Sequence, residues 1–75
     1  MEPSFAYELA LLHMRVGRAI TEKKQGLHYA TLGKQYAEVA TQLNPLHPGY
    51  RRTFSELSYM CEEYAVWVRY TSCTP

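Results

Sequence analysis

Aspartate is absent from this 75-residue chain, and all seven acids are glutamate. Asp therefore cannot orient a catalytic histidine, although Glu or Asn could. Cysteine is scarce, with Cys61 and Cys73 the two examples. On one continuous helix they would stand about 18 Å apart at 1.5 Å per residue, which forbids a disulfide. They could pair only if the chain doubled back after Tyr70. No two of the five Cys and His residues (His13, His28, His47, Cys61, Cys73) fall at a C-x-x-C or H-x-x-x-H spacing, so no metal site is expected. A glycine-rich phosphate loop is missing too, and no cofactor is expected. No apolar run approaches membrane length, and the start Met1-Glu2-Pro3-Ser4 lacks a positive leader. Together with the unpaired thiols, this sets a cytoplasmic expectation.

What remains is one small domain, 1–75, with too few residues for two. Its hydrophobic fraction is 47%, which argues against disorder. A chain this short buries only about 60–65% of the surface that its unfolded form exposes. A thin core of that kind often depends on a staple or on self-association. Yet the chain carries seven Tyr, two Phe and one Trp. A small helical interior has little room for ten rings, so part of this surface must face solvent or a partner.

Three segments have helical periodicity. Phe5, Leu9, Leu12, Val16 and Ala19 recur at steps of four and three, on one helix face. Ser4 is the expected N-cap, and the helix is expected over 4–24. Lys23-Lys24-Gln25-Gly26 reads as its end, with Gly26 in the left-handed position. The large residues then restart on another phase: Tyr29, Leu32, Tyr36, Val39 and Leu43. A second helix over 27–44 follows. Its other stripe is small, Ala30, Gly33, Ala37 and Ala40, and would let a neighbouring backbone come close. Pro45 and Pro48 close that helix. A third helix over 48–70 carries Tyr50, Phe54, Leu57, Cys61, Tyr64 and Val68 as its core stripe, with a capping box at Thr53-Phe54-Ser55-Glu56 as an alternative start. The tail 71–75 is expected to fray. A short strand over 65–70 is the weaker reading of the β-branched and aromatic run there. The expected fold is all-α, a small antiparallel three-helix bundle made of a helical hairpin and a third helix, with a dimer as a candidate state.

The stretch Tyr29 to Pro48 resembles the end of a tetratricopeptide repeat in Leu32-Gly33, Ala40 and Leu43-Asn44-Pro45. Its Leu-Gly pair stands at the wrong distance from the proline. The chain is also shorter than the three or so repeats such a fold needs. No family follows from it.

Catalysis finds little support. Cys61 with one of the histidines supplies the residue types of a nucleophile and base, but no motif gathers them, and Cys61 lies on an apolar stripe. The chain is read as a non-enzyme. A basic set, Arg15, Arg18, Lys23, Lys24, Arg51 and Arg52, raises the alternative of a DNA-binding regulator. Against it, the third helix is rich in Glu, and the net charge is +1. The favoured reading rests on a second face of the third helix: Tyr59, Met60, Glu63, Val66, Trp67 and Tyr70. Such a helix is apolar on two sides: either it is buried on both, as the central helix of the domain, or it is buried on one and open on the other to another protein or a second copy of the chain. The expectation is a protein–protein interaction module, acting as an adaptor or a stoichiometric inhibitor of a larger protein. An assembly or chaperone subunit is the third alternative.

Overall fold

The computed structural model describes residues 2–72. It contains α1 (Pro3–Ala19), α2 (Lys23–Leu43) and α3 (Pro48–Ser72) in an elongated bundle of 45 × 17 × 15 Å. The all-α three-helix architecture is as the periodicity indicated, and residues 65–70 continue α3 rather than forming a strand.

The boundaries differ at the start of α1, at the first break and at the end of α3, which continues to Ser72 where a frayed tail is expected from 71; residues 73–75 lie outside the described residues. Glu2, in extended conformation, is the N-cap of α1, and Ser4 lies inside the helix. α1 stops at Ile20, whose ψ of 129° turns the chain. α2 then begins at Lys23, behind the extended N-cap Glu22. Gly26 is therefore not a terminator. No glycine has positive φ, and Gly26 is a buried residue of the first turn of α2. Proximity explains the error: lysines and a glycine mark a helix end in sequence, but here they mark a helix start packed on its neighbour. At the second break the reading holds, with Asn44 leaving the helical region (φ −144°, ψ 77°) and Pro48 opening α3.

The α3 start is capped by His47 and not by the Thr53 box. The Tyr50 backbone N–H donates to His47 Nδ1 at 3.4 Å, and the imidazole stacks on the Tyr50 ring at 3.9 Å between centroids and 10° between planes. Tyr7 of α1 closes on the same ring at 4.8 Å. Capping groups contribute about 1 kcal/mol. His47→Ala is expected to lower stability by about that amount in thermal unfolding, and His47→Asn, which keeps an acceptor at the N-cap, by less.

The seam of α1 and α2 is built from small residues. Ala6, Ala10 and Gly17 on α1 and Gly26, Ala30, Gly33, Ala37 and Ala40 on α2 are buried. A Cβ placed on Gly17 would lie 3.3 Å from the Gly26 carbonyl oxygen, and one on Gly33 would lie 3.2 Å from that of Ala10. The two backbones are thus in near-contact, which only small residues permit. α3 covers the other side of α2 with side chains. Leu57 Cδ2 is 3.1 Å from the Gly33 position, and the Tyr64 ring is 2.9 Å from the Gly26 position. Leu57, Met60 and Tyr64 join Ala10, Met14, Ala30 and Ala37 in the main core. Tyr50 with Ala6 and Ala40 forms a second cluster near the 44–47 connection.

Candidate functional site

Register places the last turns of α3. Leu57 meets Gly33 and Tyr64 meets Gly26, a shift of seven residues on each helix. Three residues further on, Trp67 is level with Lys23, where α2 begins. Beyond Trp67, α3 extends past the start of α2.

The proposed face of α3 is mostly on the outside. Tyr59 is 69% exposed, Val66 51%, Trp67 52% and Tyr70 75%. Tyr59, Val66 and Tyr70 fall within about 40° of one another at 100° per residue, with exposed Glu63 beside them and Trp67 on the flank. Tyr59, Glu62, Glu63, Val66 and Trp67 line one hollow, and Val66, Trp67 and Tyr70 line the next. Met60 does not belong to this face. It is buried at 6% exposure, and its Cε lies 3.1 Å from the Cβ position of Gly17. The sequence reading put Met60 in line with Trp67 because the two are two turns apart. The glycine in α1 opens a slot there that draws the flexible thioether inward.

The six basic residues are not one patch. Lys23 and Lys24 open α2, whereas Arg51 and Arg52 open α3, level with the far end of the antiparallel α2. Some fifteen residues separate the two levels, or about 22 Å along the axis. Arg18 and Lys23 share a groove with Glu56 and Glu63, and Arg52 pairs with Glu56 at 3.6 Å. Lys23 Nζ sits 5.1 Å from the Tyr64 ring centroid. Mixed sign in the groove and the split between ends give no continuous track for a phosphate backbone.

Cys61 is half-buried and free, 4.0 Å from Thr31 Oγ1. Cys73 lies outside the described residues. Among the described residues no group of three or more His, Cys, Asp or Glu could hold a metal ion. None of the described helices is long and apolar enough to cross a membrane.

A second apolar surface was not foreseen. The large stripes of α1 and α2 face away from the core that the small residues make. Phe5 is 53% exposed, Leu12 55%, Leu43 50% and Val39 36%. Leu9, Val16, Leu32, Tyr29 and Tyr36 are half-buried. His13 lies in the crease between the two helices, its ring 5.2 Å from that of Tyr36 and 6.2 Å from that of Tyr29, with Nδ1 donating to Leu9 O at 2.7 Å. On α2 the residues that meet α3, Leu27, Thr31 and Lys34, lie on the other side of the helix. This surface is therefore the back of the hairpin, opposite α3. The signal was present in the sequence. α2 carries an unbroken Ala/Gly stripe and α1 meets it with Ala6, Ala10 and Gly17 around Met14, so the two satisfy each other and leave the large stripes outside.

Comparison with known proteins finds no matching family model, no matching curated protein and no matching solved structure.

Proposed function

We propose that this chain is a non-enzymatic protein–protein interaction module, an adaptor or a stoichiometric inhibitor of a larger protein, which engages its partner through the outer face of α3. The observation that carries the reading is the exposure of Tyr59, Val66, Trp67 and Tyr70 on one side of one helix. Aromatic rings bury about 150–250 Å² each. Three at half exposure or more place several hundred Å² in water, more than scattered surface residues account for. Trp and Tyr are also the side chains that most often dominate binding energy. Glu63 and Arg69 at the rim add polar contacts that favour one docking direction over others.

The test is binding to a captured partner, compared across variants. Trp67→Ala removes a half-exposed ring, so the helical circular dichroism and the melting transition are expected to stay intact. Partner affinity is expected to fall by about thirtyfold, the effect of a strong binding anchor. Arg51→Ala, at the other end of α3, is expected to change it little. An unfolded Trp67→Ala protein, or undiminished binding, would sink the proposal. Binding that collapses with added salt and survives Trp67→Ala would point instead to nucleic acid.

A further inference from the structure

The interior of this bundle is mostly Ala and Gly, and among the described residues Leu57 is the one large side chain without exposed surface. Meanwhile Phe5, Leu12, Val39 and Leu43 stand exposed on the back of the hairpin. We infer that a second copy of the chain covers this back face, pairing hairpin to hairpin into a four-helix layer with the two α3 helices on the outside.

Charge singles out the second copy. The centre of the face, Leu9, Leu12, Val16, Tyr36 and Val39, holds no charged residue. On the outer edge of α1, exposed Glu8 and Arg15 stand two turns apart and within about 20° of each other around the axis. Consider a twofold axis that sets α1 antiparallel to its copy and passes between Leu11 and Leu12. It brings Glu8 of one copy level with Arg15 of the other on the same edge, twice. The same axis crosses α2 near Thr31 and Leu32, because Ala10 lies beside Gly33 and Gly17 beside Gly26. The outer edge of α1 is therefore self-complementary about this axis, as a closed symmetric pair requires. The α3 face lacks this property. Glu63 and Arg69 lie on opposite edges of Val66, about 120° apart, so an antiparallel axis at Val66 brings them to one level but on opposite edges, where they do not pair. The area is also adequate. At the exposures of Phe5, Leu12, Val39 and Leu43, with their half-buried neighbours, each copy offers on the order of 500 Å² of apolar surface. A symmetric pair then buries about 1,000 Å², the lower range for a biological interface.

Sedimentation of the full chain from about 5 to about 500 µM reads this pairing directly. Wild type is expected to show a reversible monomer–dimer equilibrium. Leu12→Glu, at a half-exposed position, is expected to be monomeric throughout with its helical signal retained. Glu8→Arg and Arg15→Glu are each expected to weaken the dimer by about tenfold, and the double swap Glu8→Arg/Arg15→Glu to restore it. The restoration separates a second copy from any other occupant of an apolar face. A monomeric wild type at all concentrations overturns the inference. So does a dimer that survives Leu12→Glu, one that is lost on Trp67→Ala, or a double swap no tighter than the single ones. The inference concerns a face other than that of the proposed function, and either can fail alone.

Discussion

Leu57→Ala is expected to destabilise the protein by about 2–5 kcal/mol, the range for truncating a buried leucine. The upper part of that range applies here. Leu57 has no exposed surface, and its Cδ2 fills the space left by the missing side chain of Gly33. Neither neighbour can collapse into the gap. Gly33 has no side chain, and Ala10, whose carbonyl oxygen is on the far side of Gly33, belongs to a helix already in contact. A chain of this size has a total stability on the order of 4–11 kcal/mol. One truncation would consume a large part of it. Chemical denaturation followed by helical circular dichroism checks this, with a shifted midpoint at an unchanged slope as the expected result. A loss below about 1 kcal/mol would mean that Leu57 does not hold α3 on the hairpin.

Gly33→Leu is expected to cost still more, to the point of losing cooperative unfolding. Even a bare Cβ at Gly33 would stand 3.1 Å from Leu57 Cδ2, 3.2 Å from the Ala10 carbonyl oxygen and 3.3 Å from His13 Cβ. Two of these three atoms are backbone or attached to it and cannot rotate away. Four carbons there must part α1 from α2, and with them the Gly17–Gly26 contact further along. Forced overpacking of one or two methylenes already costs about 1–3 kcal/mol. The gain in helix propensity from replacing glycine, about 1 kcal/mol, does not offset it. The measurement is a thermal scan, with a broad or absent transition expected. A variant that melts like wild type would show that the seam has room which the backbone contact denies.

The number and order of helices were legible because proline and apolar periodicity act locally. Pro45 and Pro48 end one helix and begin another whatever the tertiary packing. The α3 core was legible for a related reason: Tyr50, Leu57 and Tyr64 are large, buried and on the predicted stripe. The turn after α1 was not, because a Lys-Lys-Gln-Gly stretch has the same local chemistry at either end of a helix. What places it is the contact between Gly26 and Gly17, which is distant in sequence. Met60 was misplaced for the same reason, since the slot that holds it is made by a glycine of another helix. The outward stripes of α1 and α2 were the larger miss. Hydrophobicity alone assigns the largest residues to the inside. In this fold closeness of approach decides instead, and the alanines and glycines win the interior.

The seam and the α3 contact also differ in what they allow to move. At the Gly17–Gly26 and Ala10–Gly33 levels the seam sets backbone against backbone, with no rotamer to exchange between them. The α3 attachment is made of Leu57, Met60 and Tyr64, side chains with alternative rotamers, and one of them is a thioether with three soft torsions. Rotamer exchange is therefore available in the plane between the hairpin and the third helix, where side chains and not backbones make the contact.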